Sequence, residues 1–296
     1  MQALVRLKRL EEAEVEALAA VEIAARDPLD SDTLLERARR TLASIYWMRG
    51  KNDQAEEQYR LALQLNKGNE HAAVFGGLLL GAAGGMQDAM RIVQQVLERN
   101  PRDKMAMAAR FELQMSQNDR DEAYRTAGSL AELEAGDWDT LLKAGKLARD
   151  YKNPRLATRL FELASDRKKD DPDILGYLGT ARLAAGDLDG AERALLQSRK
   201  LRPTDPRAVF YLENVALLRN DEAKARTLMA ECLRLDPNFV SAELNLARWL
   251  GDKGRIDEAI AVTRQVLTRH PDNGEAQELL RQIELIAQRI KSRESP

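Results

Sequence analysis

Cysteine is almost absent from this sequence, and long apolar runs are absent altogether. The single cysteine, Cys232, cannot form a disulfide or a thiolate metal site within the 296-residue chain. No apolar stretch reaches the ~20 residues that span a bilayer. Glu11, Glu12, Glu14 and Glu16 stand where a signal peptide has its apolar segment. We expect no direct membrane insertion and a cytoplasmic location for the chain as given, or a periplasmic or membrane-anchored one if it belongs to a longer protein.

Neither sign of charge is in excess. The 46 basic and 48 acidic residues give a net charge of −2 and a pI near 6.0. Nucleic-acid binders draw their affinity from a basic surplus, so we predict no nucleic-acid partner. The two histidines, His71 and His270, lie far apart, and no phosphate loop, nucleophile elbow or zinc signature occurs. The sequence predicts no enzyme, no catalytic residue, no metal site and no cofactor.

A strict period in the sequence organises most of the chain. Good helix formers dominate the composition, while aromatic residues make up only 5%. An alanine recurs at a constant interval, with no insertion or deletion, at Ala55, Ala89, Ala123, Ala157, Ala191, Ala225 and Ala259. Such a 34-residue period is the signature of a repeat architecture.

Turn residues recur in the same phase. The residues five positions before each alanine are Gly50, Gly84, Asn118, Lys152, Gly186, Asn220 and Gly254. Six of these seven are Gly or Asn, which tolerate the left-handed conformation that ends a helix. Proline follows twelve residues after four of the alanines and stops a second helix. Each period therefore predicts a helix, a short turn, a second helix and a turn.

Small side chains mark where the paired helices cross. Besides the alanines, a second small-residue column contains Ala43, Gly77, Gly145, Gly179 and Ala247. Helices approach closely only where side chains are small. Phe111 and Glu213 interrupt this column, so we expect less regular packing in the third and sixth repeats.

These residues resemble the signature of the tetratricopeptide repeat. Tyr46, Ala55, Tyr59 and Ala62 match positions 11, 20, 24 and 27 of that repeat. In the fifth repeat the matching residues are Leu175, Leu178, Gly179, Ala191, Leu195 and Pro203. The resemblance implies an all-α fold, a right-handed superhelical α-solenoid of seven helix-turn-helix repeats.

The repeat phase divides the chain into three parts. Residues 1–35 hold an N-terminal helix, which resembles the second half of a repeat, and a linker. Residues 36–273 hold seven repeats, at 36–69, 70–103, 104–137, 138–171, 172–205, 206–239 and 240–273. Residues 274–296 form a capping helix and tail, in which Leu279, Leu280, Ile283, Ile286 and Ile290 share one face.

In this family, positions 2, 5, 9 and 12 of the first helices face into a concave groove, and positions 6 and 13 lie near its edges. We call these the groove positions. An exposed apolar set of this kind usually marks an interaction site, although each single residue can equally pack between neighbouring helices. The residues predicted to bind a partner are Trp47, Val74, Leu78, Met105, Met115, Leu142, Lys143, Lys146, Arg149, Leu183, Phe210, Tyr211, Asn214, Asn245 and Arg248.

Two polar features stand out within this set. Asn214 and Asn245 match two positions of the carboxylate-clamp members of the family, where paired amides hold a peptide. The lysine position of that clamp is Phe210 here, so the resemblance implies backbone gripping more than capture of a terminal carboxylate. Lys143, Lys146 and Arg149 form a basic stripe that could receive an acidic ligand residue or simply face solvent.

The primary functional hypothesis is a protein-interaction adaptor that holds a peptide segment of a partner protein in the groove. Two alternatives stay open from sequence. One is a self-associating structural component of a cell-envelope or secretion assembly, which would make the chain a homo-oligomer. The other is a regulatory repeat region of a larger protein.

Overall fold

All regular secondary structure in the described part of the chain is α-helical. The structure, a computed structural model, describes residues 9–26, 31–65, 74, 81 and 85–294, apart from the side chains of residues 31, 32, 63 and 291–294. No described helix combines the length and apolar character needed to cross a membrane. The helices are α1 (Leu10–Arg26), α2 (Ser31–Met48), α3 (Asn52–Leu65), α4 (Met86–Arg99), α5 (Lys104–Ser116), α6 (Arg120–Leu133), α7 (Trp138–Asp150), α8 (Pro154–Arg167), α9 (Pro172–Ala184), α10 (Leu188–Leu201), α11 (Pro206–Leu218), α12 (Glu222–Leu235), α13 (Ser241–Asp252), α14 (Ile256–Arg269) and α15 (Gly274–Glu294).

The chain divides into two compact units, Met1–Lys152 and Asn153–Pro296. The first contains α1 to α7 and the second contains α8 to α15. Within each unit, neighbouring helices such as α1 and α2 or α11 and α12 pack together, and so do first helices of adjacent repeats such as α11 and α13. The boundary between the units falls inside the predicted repeat 138–171. The count of seven repeats stays a prediction, because most of residues 66–84 lie outside the described part.

All seven periodic alanines lie in the core. Each of the residues Ala55, Ala89, Ala123, Ala157, Ala191, Ala225 and Ala259 has no exposed surface. This burial confirms that the sequence period places a small side chain in a helix interface. A methyl group at these points leaves room for the neighbouring backbone.

The turn column adopts the predicted left-handed backbone. The φ angles are +72° at Gly50, +59° at Asn118, +54° at Lys152, +84° at Gly186, +59° at Asn220 and +74° at Gly254. Gly84 lies outside the described residues. Lys152 takes this conformation without the help of glycine or asparagine, at a cost of about 1–2 kcal/mol. The repeat geometry therefore overrides the local preference of that residue.

Aspartate and asparagine side chains cap the first helices. The side chain of Asp103 accepts a hydrogen bond from the backbone N–H of Ala106 at 2.8 Å, and Asp137 does the same for Thr140 at 2.8 Å. Asp171, Asp205 and Asn273 cap α9, α11 and α15. All five occupy position 34 of their repeats, immediately before the next helix. Such caps each contribute about 1 kcal/mol.

The second small-residue column shows how tight the crossings are. A Cβ atom added at Gly179 would lie 2.5 Å from Cγ of Leu195, which is fully buried. Ala43 and Ala247 are also fully buried. The two exceptions, Phe111 and Glu213, do not turn outward, since both are completely buried. In the sixth repeat a carboxyl group therefore occupies a site built for a hydrogen atom or a methyl group.

The terminal helices only partly match the predicted caps. Ala13 and Ala17 of α1 pack against Leu42 and Tyr46 of α2, as a preceding second helix would. In α15, Leu279 and Ile283 are buried. Ile286 and Ile290 of the predicted apolar face stay exposed, so no described element covers this part of α15.

Enlarging a periodic alanine should be far more costly than enlarging a neighbour that faces solvent. We predict that Ala225→Leu lowers the free energy of unfolding by about 1–3 kcal/mol or more, because the buried crossing has no space for the added atoms. Ala223→Leu lies on the exposed side of the same helix and should change it by less than about 0.5 kcal/mol. Urea denaturation followed by circular dichroism measures both. Equal effects would contradict the packing role of the alanine column.

Candidate functional site

The groove positions of the first unit carry a loose set of apolar side chains. Trp47 is 43% exposed and Met105 is 38% exposed, while Met115 and Leu142 are half-buried. Val74 is fully buried, so in this structure it packs in the core and is not available to a ligand. Leu78 lies outside the described residues.

The basic stripe of the first unit meets carboxylates of its own chain. Nζ of Lys143 lies 2.9 Å from Oε2 of Glu112 and 2.9 Å from Oδ2 of Asp139. Partial burial disfavours the charged amine, but Asp139 and Glu112 outweigh it and raise the pKa of Lys143. Arg149 lies 3.7 Å from Asp150. Much of the charge predicted to attract an acidic ligand is therefore balanced within the protein.

In the second unit, the rings of Phe210, Tyr211 and Phe239 lie together, and we call this group the aromatic wall. Leu183, Phe210 and Tyr211 are half-buried and pack against the core of that unit. The Phe210 ring lies 5.2 Å from Tyr211 and 5.4 Å from Phe239, the latter edge to face. Each ring keeps part of its surface exposed, so the group can pack in the core and still contact a ligand.

The two predicted asparagines meet directly. Nδ2 of Asn245, on α13, donates to Oδ1 of Asn214, on α11, at 2.6 Å. Nδ2 of Asn214 donates in turn to the backbone carbonyl of Phe210 at 3.2 Å. The structure thus brings together the pair that sequence placed on adjacent helices, and it fixes their relative orientation.

The amide pair keeps unused hydrogen-bonding capacity. An asparagine side chain offers two N–H donors and a carbonyl acceptor. After the two bonds described, Asn214 retains one N–H and Oδ1 of Asn245 retains its acceptor capacity, while the Asn245 side chain also interacts with the buried carboxyl of Glu213. Arg248 forms an ion pair with Glu275, so the predicted substitute cation is already partly neutralised.

Models of tetratricopeptide repeat families match three stretches of the chain. They cover residues 216–283, residues 142–206 and 177–238, and residues 38–69. Together the matches include more than half of the sequence. The chain is a tetratricopeptide repeat (TPR) protein.

Solved TPR structures share the fold at low sequence identity. YrrB, described as a TPR protein with an unusual peptide-binding site, is 16% identical, with a TM-score of 0.53 over 62% of this chain and 95% of that one. The Naa15/Naa10 complex bound to HypK-THB contains a chain that is 16% identical, with a TM-score of 0.59 over 84% of this chain and 38% of that one.

A curated relative shows a partial match. Cellulose synthase operon protein C of Pseudomonas fluorescens (strain SBW25) is 31% identical over 133 residues. The match covers 42% of this chain but only 10% of that protein. The matched part of the chain therefore spans about a tenth of the length of this relative.

One residue of the aromatic wall, Phe239, was not predicted from the sequence. Phe239 occupies position 34 of its TPR, where the other described repeats carry the capping aspartates and asparagine. Helix α13 consequently starts after Val240 with no side-chain cap. The chain forgoes about 1 kcal/mol of capping here and gains an aromatic contact with Phe210. The missing Asp or Asn at this position was the available sequence signal.

Glu213 is the second unexpected residue. It precedes Asn214 on α11, it is completely buried, and neither of its carboxyl oxygens has a hydrogen-bond partner of normal geometry. Burial raises its pKa to about 9, and the Asn245 side chain only partly offsets this. The group is therefore a neutral acid at physiological pH. The interruption of the small-residue column indicated the position but not this consequence.

The raised pKa makes the stability of the protein depend on pH. The unfolded carboxyl has an ordinary pKa near 4.5, so between this value and about 9 the folded state binds more protons. The contribution of this group to the free energy of unfolding is fully present below pH 4.5. It is lost by about 1.4 kcal/mol per pH unit as the pH rises from 4.5 to about 9. We predict that the difference in free energy of unfolding between Glu213→Gln and the wild type shifts in favour of the variant as the pH rises from 5.5 to 8.5.

Urea unfolding at the two pH values measures this difference. The exposed Glu132→Gln serves as the matched control and should show a nearly constant difference from the wild type. A Glu213→Gln variant whose advantage does not grow with pH would show that the carboxyl ionises normally.

Proposed function

We propose that this TPR protein is a non-catalytic adaptor that holds a peptide segment of a partner protein against α11 and α13. The observation that carries the proposal is the hydrogen-bonded pair Asn214–Asn245 beside the exposed parts of Phe210 and Tyr211. Polar groups with spare capacity next to a partly exposed aromatic surface suit a ligand with both a backbone and apolar side chains.

The amides would grip the ligand backbone. The spare N–H of Asn214 can donate to a peptide carbonyl, and Oδ1 of Asn245 can accept from a peptide N–H. An extended peptide offers both kinds of group in alternation, whereas a terminal carboxylate offers acceptors only. The ion pair between Arg248 and Glu275 weakens the case for a free cation that would hold a terminal carboxylate. Backbone gripping is therefore the mode that the site favours.

The aromatic wall would select the side chains of the ligand. Phe210, Tyr211 and Phe239 present apolar ring surface next to the amide pair. Aromatic rings give large contact areas at a small cost in side-chain entropy. We expect the bound segment to place an aromatic or branched aliphatic residue against them.

Other parts of the protein support the same class of function. The exposed Trp47 and Met105 of the first unit offer a separate adaptable apolar contact. YrrB, which shares the fold, is described as having a peptide-binding site, although its low identity transfers no residue roles. The absence of catalytic activity remains an expectation drawn from the sequence.

Loss of both amides should weaken peptide binding without unfolding the protein. Peptides selected from a display library against the full chain serve as probes, and fluorescence anisotropy gives their dissociation constants. We predict that Asn214→Ala with Asn245→Ala weakens binding roughly tenfold or more, since each lost hydrogen bond contributes about 0.5–1.5 kcal/mol.

Two controls make the result specific. Gln265→Ala removes an exposed amide from the second helix α14 and should leave the affinity unchanged. Circular dichroism should show the same helical content for all variants. Selected peptides that bind the double variant as tightly as the wild type would place the binding site elsewhere.

A further inference from the structure

A second surface lies on the opposite side of α9 from its groove positions. Helices α8, α9 and α10 line a cavity of about 600 Å³. Leu175 and Leu178 of α9 form its floor. Helical periodicity places these two leucines roughly opposite Gly176 and Thr180, which occupy groove positions. The cavity is thus independent of the proposed peptide site.

The rim of this cavity carries an apolar residue with no counterpart in the other repeats. Leu196 of α10 lines the cavity and is 46% exposed. The corresponding residues of the other repeats are polar or small, namely Arg60, Gln94, Gly128, Glu162, Ala230 and Arg264. A large apolar side chain therefore stands only here at this position, beside an apolar floor.

Two cations flank Leu196. Arg193 and Lys200 line the cavity and stand seven residues apart, two turns of the same face of α10. Neither forms an ion pair with any residue of the described chain. The third basic residue of the cavity, Arg182, is held by Glu162 at 2.9 Å. The rim thus presents a cation, an apolar residue and a cation in sequence along one helix.

Helix α1 presents the complementary pattern on its exposed side. Val15 is 68% exposed and Leu18 is 40% exposed. Glu11 and Glu22 lie on the same stripe, since the four residues are spaced by four, three and four positions. Glu22 has no ion-pair partner in the described chain, and Glu11 contacts Arg49 only at 3.3 Å with most of its side chain in solvent. Ile23, also exposed, extends the apolar part.

We infer that α1 of one copy of this chain docks into the α8–α10 cavity of a second copy. Val15 and Leu18 would cover Leu196 and the leucine floor. Glu11 would face Arg193, and Glu22 would face Lys200. The acidic ends of the stripe are about 16 Å apart along α1, and the cations are about 10 Å apart along α10. Flexible Arg and Lys side chains can span this difference.

This contact is head-to-tail, because it joins two different surfaces of the same chain. Such contacts generate open chains of subunits or closed rings, not a simple two-fold dimer. One helix in one cavity is a small interface, so we expect weak association that salt suppresses. The mean mass should rise steadily with protein concentration.

Sedimentation velocity of the full chain at increasing concentration and low salt tests the inference. The wild type should show a concentration-dependent mean mass. Glu22→Lys alone and Lys200→Glu alone should each weaken self-association roughly tenfold, because like charges then face each other. Mixing these two variants should restore association. The α1 helix of the Glu22→Lys variant then meets the reversed charge in the cavity of the Lys200→Glu variant, and the native α1 of the second variant meets the native cavity of the first.

Matched variants separate this contact from general surface effects. Leu196→Gln should weaken association, whereas Leu218→Gln changes another exposed leucine, on α11, and should not. Arg234→Glu alters the residue at the same repeat position as Lys200, one repeat later, and should also have no effect. A wild type that stays monomeric at all concentrations overturns the inference. So does association that Leu196→Gln leaves intact or that the mixed charge variants fail to restore.

Discussion

The close approach of helices at small side chains is the constraint on which the rest of the structure depends. Once in every period a fully buried alanine marks the crossing of two helices, and residues such as Gly179 leave no room for an added carbon. Once these crossings fix the spacing, the turns must close the helical hairpins at set positions. Lys152 therefore adopts a left-handed backbone that its side chain does not favour. The 34-residue period of the sequence therefore follows from the packing of the helices.

A regular architecture makes its exceptions informative. Phe239 replaces a helix cap with an aromatic contact, and Glu213 puts an unpaired carboxyl where the other described repeats have small residues or Phe111. Both lie next to the Asn214–Asn245 pair, in the part of the second unit that we propose binds a peptide. Leu196 exposes an apolar side chain where other repeats carry polar or small ones. Natural proteins commonly forgo local stability at functional sites, and these departures fit that pattern.

The sequence predicted the helices, the buried alanines and the left-handed turns because each follows from local periodicity. It also placed Asn214 and Asn245 on adjacent helices, but not the bond between them, since side-chain orientation depends on tertiary packing. The same limit explains Val74, which shares the groove register but is buried, and Lys143, whose charge is balanced by Glu112 across a helix interface. The exposed apolar residues of α1 and α15, such as Val15 and Ile286, were not predicted, because apolar periodicity shows which face can be buried, not whether another element covers it.

Removal of one period tests the central claim most directly. Deleting residues 172–205 joins Asp171 to Pro206 and so recreates the Asp-Pro start of a first helix. If the packing repeats with the period of the alanines, this shortened chain should keep the helical ellipticity per residue and the cooperative thermal unfolding of the full chain. Deleting residues 172–188 removes half a period and should abolish cooperative unfolding. A full-period deletion that loses its helical structure, or a half-period deletion that folds as well, would contradict the account.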